Sequence, residues 1–257
     1  MYNRLYAFGC SFTQYKWPTW ADFLHAGGIA TDYSNWGLPG GSNDFILHSV
    51  TECLSTHPVT PNDLFAIMWS QPYRLSDYND EDGWDMPGNA YVYQKDRAKF
   101  LHEDKISLEN QSYIVAVQRM LEAIGCDYIF TSMQPMDLKY EDVYNTAHLF
   151  KPSMQEFLGY TRPHEGWRET LPGDRHPSPT QHMRFAHSLC ELDSDATQQM
   201  CNDAEDWIFN SDVSWRRQYI YHPQKIPTHR LPSVENYYNT GNGRLEHVDG
   251  IQFKSTK

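Results

Sequence analysis

The chain has 257 residues, enough for one well-packed domain, and its 40% apolar content is typical of a folded protein. A formal net charge of −12 at pH 7, without clustered lysine or arginine, argues against a nucleic-acid-binding surface. No segment approaches the roughly 18 consecutive apolar residues of a membrane span, and no signal-peptide pattern precedes the first strand-like segment. We therefore expect a protein made in the cytoplasm, with no nucleic-acid partner and no membrane span.

The five cysteines are scattered along the chain and include no Cys-x-x-Cys pair. An odd number at irregular spacing indicates neither a disulfide framework nor a zinc site. We expect reduced thiols, and we expect neither a metal nor a cofactor.

The first element of the chain is a short apolar segment, residues 5–13, that ends on small residues. Its composition is typical of a buried strand, and Gly9 permits a sharp turn from strand to helix. Such a turn would expose the hydroxyl of Ser11, which makes Ser11 a candidate nucleophile. The alternative is an ordinary turn or N-cap serine. The neighbouring thiol of Cys10 is another candidate nucleophile, although its strand position also suits a small core residue.

Strand-like and helix-like segments alternate after this turn. The predicted elements are a helix over 17–26, a short strand leading into a glycine-rich loop at 32–44, a helix capped by Ser42, a strand over 63–70, a helix over 106–125 and a strand over 126–133. This alternation is typical of βαβ units. We therefore expect an α/β fold, a three-layer α/β/α sandwich with a short parallel sheet.

Three further segments are less regular. Residues 75–105 are acidic and aromatic, which predicts a polar-aromatic insertion on the surface. A weak helical pattern covers 143–158, and a clearer helix begins at Pro179, a residue suited to the first helical turn. We expect the core domain to span 1–202 and the proline- and aromatic-rich residues 203–257 to form a C-terminal extension.

Polar motifs follow the predicted strands in the order that an acyl-transfer site requires. Ser11 follows the first strand, a glycine loop follows the second, and Asp174 and His176 lie in a loop before the last core helix. Open α/β folds bind ligands at the carboxyl edge of their parallel strands. Acyl transfer needs a nucleophile, an oriented base and donors for the oxyanion.

In these motifs the chain resembles the SGNH/GDSL-type serine hydrolases. The first block of that family is matched by residues 8–13, its glycine block by residues 35–42 and its acid and histidine block by residues 174–178. The resemblance covers roughly residues 4–192, and the order of the motifs is its most specific feature.

The resemblance implies a role for each matched residue. Ser11 would attack the substrate, His176 would be the base, and Asp174 would orient His176. The N–H groups of Ser11 and Gly40 would belong to the oxyanion hole.

Two positions depart from the family pattern. Only Arg175 separates Asp174 from His176, where the family has two intervening residues, so a backbone carbonyl is an alternative orienting group. The third block, Gly-x-Asn-Asp in the family, reads Trp-Ser-Gln-Pro over residues 69–72. The missing oxyanion donor would then be Asn43 or Gln71, which the sequence ranks equally.

Ester hydrolysis is the activity that the resemblance implies. The aromatic content of 14% favours a small acyl group, such as acetyl, on a carbohydrate, since sugar faces stack on aromatic rings. Variants with Trp-Ser-x-Pro-x-Arg in place of the third block resemble proteins carried by bacteriophages, which would fit a virion-associated enzyme. The alternative is a catalytically degenerate SGNH scaffold with a structural or binding role. In either case, residues 203–257 would contact a second copy or a virion partner.

Overall fold

The computed structural model describes residues 1–15, 17–79, 83–136, 152–159 and 176–210. In chain order the elements are β1 (Tyr2–Phe8), α1 (Trp20–Ala26), β2 (Ala30–Asn35), α2 (Asn43–Thr56), β3 (Leu64–Trp69), β4 (Arg74–Asn79), β5 (Gly83–Asn89), α3 (Ala90–Tyr93), α4 (Lys95–Ala98), α5 (Glu103–Ile124), β6 (Asp127–Ser132), α6 (Met154–Phe157), α7 (Pro179–Leu189) and α8 (Ser194–Asn210).

A four-stranded parallel sheet in the order β2-β1-β3-β6 forms the middle layer. β1 pairs with β2 on one side and with β3 on the other, with Leu5 opposite Tyr33 and Leu64. The helices that connect these strands cover both faces of the sheet. The predicted α/β/α sandwich with a short parallel sheet is therefore confirmed.

Alternation along the central strands sends bulky and smaller side chains to opposite faces. On β1, Tyr6 and Phe8 face the core under α2 and α5, whereas Leu5 and Ala7 face the core under α1 and α7. Every residue of β3 is buried. Burial on both faces explains why β3 is a continuous apolar segment in the sequence.

Local sequence signals set several helix ends. α1 begins after Thr19, three residues later than the predicted start at 17, because Thr19 and Asp22 form a reciprocal capping box. α7 begins at Pro179 as predicted, with Ser178 and Gln181 forming a second capping box. Gly125 has a φ of 83°, and this left-handed conformation ends α5.

The insertion expected at 75–105 contains short elements of its own. β4 and β5 form an antiparallel hairpin, and α3 and α4 follow it. Trp84 of the hairpin packs against Phe45 and His48 of α2, with ring centroids 5.3 Å apart in each case. The hairpin is thereby attached to the helix that follows the glycine loop.

The C-terminal part of the described chain is helical. α8 runs through the expected domain boundary between 202 and 203, with Cys201 and Ala204 fully buried. Of the weak helix predicted over 143–158, the described residues contain only α6, and residues 137–151 lie outside them. Residues 211–257 also lie outside the described residues, so the partner-binding role of the extension stays a prediction.

Across these described ranges, no helix is both long and apolar enough to cross a membrane.

Candidate active site

Ser11 lies on a tight turn directly after β1. The N–H groups of Thr13 and Gln14 both donate to the carbonyl of Cys10, at 2.9 and 3.1 Å, and close one helical turn around Ser11. Ser11 as a whole residue is 5% exposed, and its neighbours Phe12 and Thr13 are also buried. The expectation that this turn exposes the Ser11 hydroxyl is therefore wrong, because the turn is packed into the core. A Cβ at Gly9 would lie 2.1 Å from Thr13 Oγ1 and 3.0 Å from the Met68 carbonyl, so only glycine fits where the turn begins.

Cys10 points away from this turn into the core. It is completely buried, and its Sγ lies 3.7 Å from Met133 Sδ. All five cysteines are free thiols. The geometry of Cys10 is that of a small core residue rather than of a nucleophile.

Buried hydrogen bonds fix the Ser11 turn to the loop after β2. The Thr13 carbonyl accepts from Asn35 Nδ2 at 2.7 Å and from Thr19 Oγ1 at 2.7 Å. Asn35 Oδ1 accepts from the N–H of Gly37 at 2.9 Å. Asn35 therefore bridges the turn that carries Ser11 and the glycine loop.

The buried carboxyl group of Asp22 is connected to Asn35 through the hydroxyl of Tyr33. The Tyr33 hydroxyl accepts from Asn35 Nδ2 at 3.1 Å and donates to Asp22 Oδ1 at 3.2 Å. Asp22 Oδ2 also accepts from the N–H of Thr19 at 2.7 Å. Burial raises the pKa of Asp22 to about 6 against these hydrogen bonds, which lower it. The hydrogen-bond network that holds Asn35 thus contains a carboxyl group, that of Asp22, whose pKa lies in the mildly acidic range.

The glycine loop packs directly against the Ser11 turn. The N–H of Leu38 donates to the carbonyl of Gly9 at 3.0 Å. Gly40 has a φ of 86°, a left-handed conformation that favours glycine. A Cβ at Gly41 would lie 3.0 Å from both the Leu38 carbonyl and Phe45 Cδ1, so the loop also has no room for a side chain there.

His176 lies against the turn that carries Ser11. Its ring stacks on Tyr15, with centroids 3.7 Å apart and planes inclined by 22°, and contacts Phe12 edge to face at 5.8 Å. Trp17 Nε1 donates to the Pro177 carbonyl at 2.8 Å and holds the loop in place. The structure therefore brings His176 to the turn that carries Ser11. Asp174 lies outside the described residues.

A second histidine, His182, lies behind His176 and was not predicted from the sequence. It is completely buried on α7, and its Nδ1 accepts from the N–H of Trp20 at 3.2 Å. Burial, with a smaller contribution from nearby His176, lowers the pKa of His182 well below its usual value, so the ring is neutral. The signal in the sequence is its position three residues before Phe185 on the apolar face of α7.

The two candidate oxyanion donors differ in how their amides are used. Asn43 Oδ1 accepts from the N–H of Ser70 at 2.6 Å, and Asn43 Nδ2 donates to the Ser70 carbonyl at 3.1 Å and to Asn110 Oδ1. Both amide hydrogens of Asn43 are thus engaged. Gln71 is 6% exposed, and its Oε1 accepts from Asn89 Nδ2 at 3.2 Å. In the described part of the chain its Nε2 hydrogens have no acceptor, which favours Gln71 as the donor.

Arg74 joins the end of β3 to the glycine loop, and sequence reasoning gave it no role. Its Nη1 donates to Ser70 Oγ at 3.0 Å and lies 3.4 Å from the Gly41 carbonyl. A half-buried guanidinium therefore lies at the same sheet edge as Ser11 and Gln71.

No family model matches the chain, and no curated protein matches its sequence. Solved structures do resemble it in fold. A member of the lipolytic protein G-D-S-L family from Veillonella parvula is 15% identical with a TM-score of 0.42, covering 72% of this chain and 96% of that one.

Two more structures of this kind resemble the chain. The YXIM protein of Bacillus subtilis is 14% identical with a TM-score of 0.46 over 79% of this chain, and the chain spans only 56% of its length. A candidate acylhydrolase from Bacteroides fragilis is 15% identical with a TM-score of 0.37, covering 79% of this chain and 88% of that one. At such identities, any activity has to be argued from the site itself.

The described chain shows how the SGNH-like motifs are arranged. Ser11, Gly40 and Gln71 follow β1, β2 and β3 at the carboxyl edge of the sheet, and His176 reaches this edge from the loop before α7. Within the residues that are described, no group of three or more His, Cys, Asp or Glu side chains is placed to hold a metal ion.

Proposed function

We propose that the protein is a serine hydrolase that cleaves a carboxylic ester, with Ser11 as nucleophile and His176 as general base. The observation that supports this most directly is the stacking of His176 on Tyr15, in the same turn that carries Ser11. An imidazole is the base that serine nucleophiles most often use, and this contact places one against the Ser11 turn.

The reaction follows from these groups. Ser11 Oγ attacks the acyl carbon and gives its proton to His176, and the carbonyl oxygen becomes an oxyanion. The N–H groups of Ser11 and Gly40 and the amide of Gln71 would stabilise that oxyanion. Expulsion of the alcohol, which takes the proton from His176, leaves an acyl-enzyme. Water, activated by His176, attacks the acyl-enzyme and releases the carboxylic acid.

Asp174 is the proposed orienting group for His176, by the family pattern. Since a single residue separates the two, we give Asp174 a smaller share of catalysis than His176. For the substrate, we propose a small acyl group, such as acetyl, on a carbohydrate.

Covalent labelling tests the proposal. We expect a fluorophosphonate probe to label the wild-type protein rapidly at neutral pH on the peptide that contains Ser11, because only an activated serine reacts fast. Ser11→Ala should abolish the labelling. Absence of labelling in a folded wild-type protein would contradict the proposal and would support the alternative, a degenerate scaffold with a binding role.

A further inference from the structure

A pair of tyrosines lies at the base of the β4–β5 hairpin. Tyr73 precedes β4 and Tyr91 follows β5, and their rings meet edge to face with centroids 5.1 Å apart. The Tyr73 carbonyl accepts from the N–H of Ala90 at 2.9 Å, which fixes the two residues relative to each other. Tyr91 is 43% exposed, while Tyr73 is partly buried. The pair therefore presents a positioned aromatic surface to solvent.

This aromatic pair adjoins the candidate oxyanion donor. Asn89 donates from Nδ2 to Gln71 Oε1 at 3.2 Å and accepts at Oδ1 from the N–H of Tyr91 at 3.0 Å. A single side chain, Asn89, thus connects Tyr91 to Gln71.

Gln71 in turn lies beside the nucleophile turn. β1 and β3 are neighbours in the sheet, with Phe8 opposite Ile67, and Ser11 and Gln71 each follow a few residues after that pair. The tyrosines, the two amides and the nucleophile are therefore neighbours along one sheet edge. A group bound on Tyr91 would lie on the side of the site that Gln71 borders.

We propose that Tyr73, Tyr91 and Asn89 form the subsite for the sugar ring of an acylated carbohydrate. The C–H face of a pyranose packs on an exposed aromatic ring, and its hydroxyl groups pair with fixed amides and phenol hydroxyls. A fatty acyl chain would instead need a continuous apolar surface, whereas here the tyrosine pair adjoins the polar Asn89, which bonds to the N–H of Tyr91 and to Gln71. This inference rests on the proposed ester hydrolysis, for which it supplies the alcohol side of the substrate.

The same hairpin offers a matched control. Tyr78 is more exposed than Tyr91, at 64%, and lies opposite Trp84 in the strand register, away from the base of the hairpin. Its ring packs on Trp84 with centroids 5.4 Å apart. Tyr78 is thus, like Tyr91, an exposed tyrosine of the 75–105 insertion, but it lies on β4 opposite Trp84, away from Asn89.

The experiment is calorimetric titration of Ser11→Ala with glucose pentaacetate, which this variant should bind without cleaving. Adding Tyr91→Ala should weaken binding by about tenfold, the value of one aromatic contact. Tyr91→Phe should restore most of the affinity, and Tyr78→Ala should leave it unchanged. Equal affinity in all variants, an equal loss with Tyr78→Ala, or no binding by Ser11→Ala would overturn the inference.

Labelling of the wild-type protein by the fluorophosphonate separates this result from the proposed function. Labelling of Ser11 together with affinity that does not depend on Tyr91 leaves the esterase in place and removes the sugar subsite. Affinity that depends on Tyr91 without any labelling keeps the subsite in a protein that binds sugar esters but does not hydrolyse them.

Discussion

The turn that carries Ser11 and the loop that carries His176 are attached to the protein in different ways. Directional, buried hydrogen bonds from Asn35 and Thr19 to the Thr13 carbonyl hold the turn. Ring contacts with Tyr15 and Phe12, and the hydrogen bond from Trp17 to Pro177, hold the loop. The Ser11 turn therefore belongs to the core of the fold, and the His176 ring packs onto it through aromatic contacts.

Because of this difference, we expect substitutions in the two regions to affect different properties of the protein, its folding stability in one case and its turnover in the other. Leaving a buried hydrogen-bonding group without a partner costs folding free energy. A stacked ring can slide or leave at smaller cost, but the proton transfer that depends on its position then slows. We thus expect changes that support the Ser11 turn to lower stability, and changes around His176 to lower turnover.

The largest expected effect is on turnover when either reacting group is removed. Ser11→Ala and His176→Ala should each lower ester turnover by about 10⁴-fold or more, since the nucleophile and base act as one unit. Asp174→Asn should lower it less. Kinetics with p-nitrophenyl acetate measure these effects, and circular dichroism should show an intact fold. Turnover equal to wild type in either alanine variant would refute the assignment, and a loss with Asp174→Asn as large as with His176→Ala would show Asp174 to be the essential orienting group.

Removal of the side-chain amides of Gln71 and Asn43 should affect different properties, turnover for Gln71 and stability for Asn43. Gln71→Ala should lower turnover by roughly a hundredfold by removing an oxyanion donor, with little loss of stability. Asn43→Ala should instead lower the free energy of unfolding by about 2 to 4 kcal/mol, because it leaves two buried backbone groups of Ser70 without a partner. Chemical denaturation and kinetics on both variants measure this. A stable Asn43→Ala with hundredfold slower turnover would make Asn43 the donor, and unchanged turnover in both variants and their combination would indicate a hole made of backbone N–H groups.

The buried carboxyl below the Ser11 turn should give the fold a specific pH dependence. The pKa of Asp22 is raised to about 6 in the folded state, and the unfolded chain ionises near the usual value, so the folded state binds more protons between about pH 4 and 6. The wild type should therefore lose stability relative to Asp22→Asn as pH rises through this window. Each pKa unit between the folded and unfolded states corresponds to about 1.4 kcal/mol. The difference in free energy of unfolding between the wild type and Asp22→Asn should therefore change by up to about 3 kcal/mol across this window.

Denaturation at several pH values measures the contribution of Asp22. The groups that face its carboxyl are Thr19 and Tyr33, and His25 packs on the Tyr33 ring with centroids 5.2 Å apart. Tyr33→Phe serves as the matched variant, since it removes one hydrogen bond and keeps the carboxyl. A wild-type to Asp22→Asn difference that is flat from pH 4 to 6 would show that Asp22 keeps an ordinary pKa.

The smallest expected effect follows from removing the Tyr15 ring, on which His176 stacks. Tyr15→Ala should lower turnover and the labelling rate of Ser11 by about fivefold, since an aromatic pair contributes about 1 kcal/mol beyond burial. Tyr15→Phe keeps the ring and should restore both rates. Should Tyr15→Ala unfold the protein, the loop is as much a part of the core as the turn, and the contrast between them disappears.

Most of the sheet could be predicted from the sequence because its strands are buried on both faces. β3 is a continuous apolar segment for that reason. The hairpin was not predicted since its strands are largely polar and contacts between distant segments attach it to α2, such as Trp84 with Phe45 and Ser76 with Ser42. α8 was missed because its buried face consists of small or polar residues, Thr197, Cys201 and Ala204, whose helical spacing carries little hydrophobic signal.

The site could be predicted in part, for similar reasons. Ser11 and His176 lie in recognisable motifs. The engagement of Asn43 by Ser70, and of Asn35 by Thr13, depends on contacts between segments far apart in the chain. No local pattern reports such contacts.

The central place of β1 in the sheet affects how the protein folds. β1 pairs with β2 and β3, and β3 pairs with β6, so each strand pair joins segments that are distant in sequence. Such non-local pairing slows folding, because the intervening chain must be ordered before the pair forms. The turn that presents Ser11 also requires Asn35 and the end of β3 around it. The turn around Ser11 is therefore assembled only once β1, β2 and β3 have come together, so the proposed reactivity of Ser11 would arise late in folding.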